Sequence, residues 1–175
     1  MDHHDHVGLL REGVRGSGPA WADLGSGEGA FTLALADLLG PTGSIHTVDR
    51  DGRALQVQLR ALRDAFPNVT VAPRVADFTQ PLELPPLDGI VMANSLHFER
   101  DKLAVLRLVR GYLRPAGRLV LVEYDTDRGN PWVPFPLSYR SWAKLAAEAG
   151  FRETRHLALV PSRFLGAIYS ALSLR

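Results

Sequence analysis

The chain contains no cysteine among its 175 residues. That excludes disulfides, a thiolate nucleophile and cysteine-ligated zinc, and it fits a reducing compartment, so a cytoplasmic protein is expected. An excess of one charge is also missing: 20 Lys and Arg stand against 19 Asp and Glu, a formal net charge of +1. No global field draws the chain to nucleic acid or to an anionic membrane, and neither is expected as a partner. Long apolar runs are absent, none approaching the roughly 20 residues that span a bilayer. The start, Met1-Asp2-His3-His4-Asp5-His6, lacks a basic segment followed by an apolar one, so no signal peptide is expected. There are no internal repeats. What remains is 46% hydrophobic and 22% charged, long enough for one well-buried core and short for two. The reading is a single domain over residues 1–175.

Short apolar runs rich in Val, Ile and Leu alternate with helical patterns, which argues for βαβ units and a mostly parallel sheet. Strands are expected at 19–24, 44–49, 69–75, 89–93 and 118–124. A helix over 30–39 stops at Gly40-Pro41, and Leu55, Leu59, Leu62 and Phe66 recur at helical spacing before Pro67. Asp101 is placed to cap a helix running to Leu113, and Ser138 one running to Ala149. Residues 114–117 read as a turn. Two last strands, 152–160 and 164–172, are joined by so short a link that they must pair antiparallel, at one edge. Residues 125–137, with three prolines and Trp132, form a loop. The terminus with His3, His4 and His6 reads as frayed and solvated rather than as a metal site. It belongs to a short N-terminal cap, 1–18, in which Val7-Gly8-Leu9-Leu10-Arg11 is a candidate minimal lid.

The most informative stretch is Trp21-Ala22-Asp23-Leu24-Gly25-Ser26-Gly27-Glu28-Gly29-Ala30-Phe31. A buried strand breaks at alternating glycines and runs straight into a helix. Glycines allow positive φ and bring bare peptide groups against a ligand, while the helix N-terminus points its N–H groups at the same spot. Such a turn cradles a nucleotide-like cofactor. In open α/β sheets the ligand lies outside the carboxyl ends of the strands. Those ends carry Asp23, Asp49-Arg50, Asp77-Phe78, Asn94-Ser95-Leu96-His97-Phe98 and Glu123-Tyr124-Asp125.

With Asp49 about 20 residues beyond the glycines, Ala76-Asp77-Phe78, Leu87-Asp88-Gly89-Ile90-Val91 and Leu113-Arg114-Pro115-Ala116-Gly117-Arg118-Leu119 follow in order. Together these stretches resemble the successive motifs of class I S-adenosylmethionine-dependent methyltransferases, over roughly residues 19 to 160. The nearest flavour is the small-molecule group that includes quinone-biosynthesis methyltransferases. The resemblance implies a Rossmann-like, mostly parallel seven-stranded sheet with one antiparallel edge strand and helices on both faces. It implies S-adenosylmethionine as cofactor and a small-molecule acceptor, methylated on oxygen, nitrogen or carbon.

By the same resemblance, Asp49 takes the two ribose hydroxyls with Arg50 beside it, Asp77 the adenine amino group, and Phe78 the ring. Asp23 and Asn94 meet the amino-acid end, and Gly25, Ser26, Gly27 and Gly29 form the approach. Read without it, Asp49 caps the next helix, and Asp77 and Asn94 make turns. His97 is the candidate general base, since imidazole is the usual proton acceptor near neutral pH; otherwise it lines the pocket or caps the following helix. Phe98, Tyr124, Trp132 and Tyr139 are candidates for the acceptor wall, core packing being the alternative for some of them. No metal is expected, because the fourth strand ends in Asn94 rather than an acidic cluster. Gly25-x-Gly27-x-x-Ala30 also satisfies the relaxed nicotinamide-dinucleotide fingerprint. The acid two residues before the first glycine, the second acid after strand three and the lack of room for a substrate domain count against that. A non-catalytic cofactor binder is a further alternative. Fewer than twenty residues precede the first strand, so either the acceptor is large, or a second copy, a partner subunit or the 125–137 loop is expected to close the site.

Overall fold

The computed structural model describes residues 1–175. Seven strands form one sheet: β1 (Ala20–Leu24), β2 (Ser44–Asp49), β3 (Thr70–Val75), β4 (Leu87–Ala93), β5 (Leu113–Tyr124), β6 (Arg152–Ser162) and β7 (Gly166–Leu174). Their spatial order is β3-β2-β1-β4-β5-β7-β6. The first five pair in parallel, and β7 runs antiparallel to both β5 and β6. The chain thus steps outward from β1 to β3, returns beside β1 as β4, and builds the other half. The crevice between the ends of β1 and β4 is the switch point of the topology.

Alternation along each strand sorts side chains onto two faces, each covered by helices. Trp21, Ile45, Val91, Val120 and Val122 pack under α1 (His3–Val14), α2 (Ala30–Leu39) and α3 (Gly52–Ala65). Ala22, Leu24, Val48, Ile90, Met92, Leu119 and Leu121 pack under α4 (Lys102–Tyr112) and α5 (Tyr139–Glu148). The caps expected at Asp101 and Ser138 are made: their side chains accept from the Ala104 and Ser141 N–H groups. No helix is long and apolar enough to cross a membrane.

Three features differ from the reading of the sequence. The N-terminus is not frayed. Asp2 and Asp5 form a reciprocal capping box that starts α1, and Val7, Leu9, Leu10 and Val14 are buried against α2 and the sheet. Each fully buried leucine is worth ~1.5–3 kcal/mol, enough to hold a short helix in place. His3 pairs with Asp37 at 3.1 Å and His6 packs on Phe31, ring centroids 4.7 Å apart, so the histidines are dispersed rather than gathered. Second, the turn at 114–117 lies inside β5: Leu113 pairs with Leu87, the register slips, and Arg118 pairs with Gly89. Third, the antiparallel edge pair is there, but β7 is threaded between β5 and β6, and its pairing begins at Gly166 (φ +81°) rather than at Phe164. Phe164 lies in the exposed hairpin turn.

Candidate active site

The glycine turn leaves β1 with Gly25, Gly27 and Gly29 all at positive φ (77°, 51° and 92°). It is fastened to β2, since the Gly25 and Ser26 N–H groups both donate to the Val48 carbonyl (2.8 and 3.1 Å). A Cβ on Gly25 would fall 2.4 Å from Cβ of Ser95. This position therefore needs glycine for its dihedrals and for the close approach of β4. Ser95 itself is buried, its hydroxyl donating to the Leu24 carbonyl at 2.8 Å, which ties the ends of β1 and β4 together. Asp49 completes the turn: Oδ2 accepts from the Gly27 N–H at 2.7 Å and Oδ1 from the Asp51 N–H at 2.8 Å.

Outside these strand ends lies a cleft with two lobes. The larger, about 760 Å³, is lined by Gly25, Gly27, Asp49, Arg50, Phe78, Asn94, Ser95, Phe98 and Glu99. The smaller, about 270 Å³, is lined by Asp23, the turn from Gly25 to Phe31, Ala93 and Asn94, by Met1 just ahead of α1 and by His6 within it. Gly25, Gly27 and Asn94 belong to both. Another hollow, about 560 Å³, sits at the opposite ends of the strands near Gly18, Pro19 and Thr42, away from the glycine turn.

Two buried polar atoms on the smaller lobe have no partner in the chain, Ser26 Oγ and Asn94 Oδ1. Asn94 also holds φ +51°, a left-handed backbone that asparagine tolerates better than most residues. Buried oxygens without partners are costly, and a ligand with matching donors and acceptors relieves them. Asp23 is buried beneath the same lobe. Its Oδ2 accepts from the Thr32 hydroxyl at 2.6 Å, and Thr32 Oγ1 accepts from Gln58 Nε2 at 2.9 Å. Burial pushes the Asp23 carboxyl up to about 7; the Thr32 hydrogen bond opposes the rise and the Asp49 charge adds to it.

Asp77 does not line the cleft but stands beside it. Partial burial works to raise its pKa, yet the Thr79 N–H and hydroxyl and the nearby Arg50 hold the carboxyl below its ordinary value. Arg50 reaches two acids, Asp77 at 3.7 Å and Glu99 at 3.0 Å, and so links the ends of β2 and β3 to the segment after β4.

His97 is buried, in the single 3-10 turn Leu96–Phe98 after β4. Both of its donors engage Glu123, which is also fully buried: the backbone N–H meets Oε1 at 3.1 Å and ring Nδ1 meets Oε2 at 2.7 Å. A carboxylate acceptor requires the proton on Nδ1, and in the neutral imidazole this leaves Nε2 with its lone pair. The Phe98 and Tyr124 rings lie 4.4 and 6.2 Å from the imidazole. Tyr139 is elsewhere. Its ring packs against His156 and Tyr169 between α5 and the β6–β7 hairpin, because the N-terminal turn of α5 faces the sheet there.

The structure thus brings together Asp23, the glycine turn with Ser26, Asp49, Arg50, Phe78 and Asn94 in one cleft, with Asp77 and His97 adjoining it. Sequence reasoning missed Thr32, Gln58 and Glu99, and it placed Glu123 at a strand end without giving it a role. Thr32 and Gln58 carried a signal: each is a polar residue on the buried face of its helix, Gln58 sitting between Leu55 and Leu62.

The family model described as a methyltransferase domain matches residues 17–154. An arsenite methyltransferase from Aquipseudomonas alcaligenes is 34% identical over 113 residues, covering 61% of this chain and 33% of the relative. A ubiquinone/menaquinone biosynthesis C-methyltransferase from Shewanella frigidimarina is 31% identical over 108 residues, covering 61% of this chain and 43% of the relative. The chain therefore spans less than half the length of these curated relatives. Among solved structures, magnesium protoporphyrin IX methyltransferase from Synechocystis PCC 6803, with SAM bound, superposes with a TM-score of 0.75 at 14% identity. That match covers 99% of this chain and 77% of the other. The shared fold extends over the entire sheet.

Proposed function

The chain belongs to the methyltransferase-domain family, and from that premise we propose that it binds S-adenosylmethionine in the two-lobed cleft and methylates a small-molecule acceptor. The observation that carries the reading is the smaller lobe, where unpartnered Ser26 Oγ and Asn94 Oδ1 adjoin the buried Asp23 carboxyl. These groups fit an amino-acid end. The two acceptors suit an ammonium, and the hydroxyl donates to a carboxylate. A carboxylate offers roughly four acceptor sites; the Gly27 and Asp51 amides take two on Asp49, and the others are left for ribose hydroxyls. Phe78, with Asp77 and the Arg50–Glu99 pair beside it, forms the adenine end.

When bound, the cofactor supplies a methyl group activated on a sulfonium. The chain's own part is to hold donor and acceptor in line, since displacement of this kind depends mainly on proximity and orientation. His97 Nε2 takes the proton that the acceptor oxygen, nitrogen or carbon must lose. Glu123 holds the imidazole in the tautomer that makes this available and balances the charge that forms. The reading involves no metal, and the near-balanced charge supports a small molecule rather than nucleic acid as acceptor.

Calorimetry with two ligands tests the assignment of the lobes. Asp49→Asn is expected to weaken S-adenosylhomocysteine and 5′-methylthioadenosine alike, by roughly tenfold, the worth of one hydrogen bond to a charged group. Ser26→Ala, which removes a hydroxyl with no partner in the chain, is expected to weaken S-adenosylhomocysteine about fivefold, the scale of an ordinary hydrogen bond. It should leave 5′-methylthioadenosine unchanged, because that nucleoside lacks the amino-acid end. An Asp49→Asn protein with both affinities intact and a lowered melting temperature would make Asp49 a fastener of the turn and nothing more.

A further inference from the structure

Three of the seven large apolar side chains left exposed, Phe98 (54%), Trp132 (72%) and Phe164 (51%), converge on one place although they come from three separate segments. Phe98 follows β4, Trp132 sits in the loop between β5 and α5, and Phe164 occupies the β6–β7 turn. Tyr124, at the end of β5, joins them: its ring centroid is 5.9 Å from Phe164, and Phe164 is 6.3 Å from Trp132 in an edge-on contact at 78°. At the other end, Phe98 is 4.4 Å from the His97 ring and also lines the larger lobe of the cleft. The arc therefore begins where the cofactor cleft ends, passes His97 and opens to solvent. Exposed apolar side chains are ordinary when scattered, but a contiguous set beside a cleft marks a binding surface.

From this we propose that the arc of Phe98, Tyr124, Phe164 and Trp132 is the acceptor-binding surface and that it takes a flat, apolar, ring-bearing acceptor. The proposal rests on the methyltransferase reading above and names the class of molecule that reading leaves open. The rings meet one another tilted or edge-on (interplanar angles 60° and 78° for the outer two contacts), so they present faces and edges to a guest rather than stacking on themselves. A planar ring gains offset and edge contacts from such a surface beyond simple burial, and a puckered saturated ring of the same size does not. Apart from His97, the polar groups on the arc are the Tyr124 hydroxyl and the Trp132 indole N–H, which leaves a small polar acceptor few partners.

The test titrates 2-naphthol and its saturated counterpart decahydro-2-naphthol, by calorimetry, into the protein with and without saturating S-adenosylhomocysteine. 2-Naphthol is expected to bind roughly fivefold more tightly, the scale of one aromatic pair. Phe164→Ala and Trp132→Ala should each remove most of that preference for 2-naphthol over decahydro-2-naphthol without changing affinity for S-adenosylhomocysteine. Both side chains are more than half exposed, so neither change threatens the fold. Equal affinities for the two probes, or an unaltered 2-naphthol affinity in Phe164→Ala, would overturn the proposal. Failure of S-adenosylhomocysteine to bind would instead overturn the cofactor reading, while the probe preference and its loss in Phe164→Ala still decide this one.

Discussion

Replacing His97 with asparagine is expected to slow methyl transfer by about 10²–10⁴-fold, the usual contribution of a positioned general base, while leaving S-adenosylhomocysteine affinity unchanged. Asparagine is chosen because its amide N–H₂ stands near the place of Nδ1–H and keeps a donor on Glu123. Alanine would strand a buried carboxylate, at a cost of about 3–5 kcal/mol in stability. Glu123→Gln tests the other half of the dyad. The amide is isosteric but can donate to Nδ1, and the proton then sits on Nε2, where a base is needed. The expected loss is again of order 10²-fold or more, although Glu123 touches neither donor nor acceptor and acts only through His97. Rates are read as S-adenosylhomocysteine formed with the acceptor that the wild-type protein turns over best. A rate within a few-fold of wild type in both variants would return His97 to a packing role.

The second large effect comes from Asp23 and has a definite sign. Burial raises its carboxyl from 3.8 to about 7, so the folded chain holds this proton more tightly than the unfolded chain does. The corresponding stability is fully present below pH ~4 and is lost as pH rises to ~7, about 4 kcal/mol at 1.36 kcal/mol per unit. Asp23→Asn, which keeps an oxygen for the Thr32 hydroxyl, should remove that slope, as denaturant unfolding at pH 5 and pH 7.5 would measure. A cationic amino group bound beside Asp23 favours the carboxylate. At pH 6, S-adenosylhomocysteine binding should therefore release close to one proton in the wild type and none from this position in Asp23→Asn. Titrations in buffers of different ionisation enthalpy count that proton. The same count in both proteins would mean that Asp23 does not meet the ammonium.

Much of this architecture was readable from local chemistry. The bounds of α2 and β2 follow from Gly40-Pro41 and from an apolar run ending at an acid, and both match the structure residue for residue. The acids at strand ends were legible because a carboxylate has no reason to end a buried strand unless something there needs an acceptor. The N-terminal helix was hidden by its own polar start. Asp and His residues dominate its first turn, and the apolar stripe of Val7, Leu10 and Val14 is short enough to pass for chance. Glu123 stood in plain view at the end of β5, but its partner is 26 residues away, and strand periodicity does not say which neighbouring strand end it meets. The exchange of Tyr139 for Phe164 has a similar cause. Composition identifies aromatics, whereas their place in core or rim depends on how α5 and the β6–β7 turn pack, which is a tertiary matter. Gln58 is the instructive case: a polar residue on an apolar helical stripe is already a statement that something buried, here Thr32 and Asp23, is waiting for it.

The most direct test of the whole account is calorimetric titration of the wild-type protein with S-adenosylhomocysteine and, separately, with NAD(H). Micromolar affinity for the first and none for the second is the predicted result. Binding of NAD(H) alone would make the glycine turn a dehydrogenase fingerprint and contradict the account at its centre.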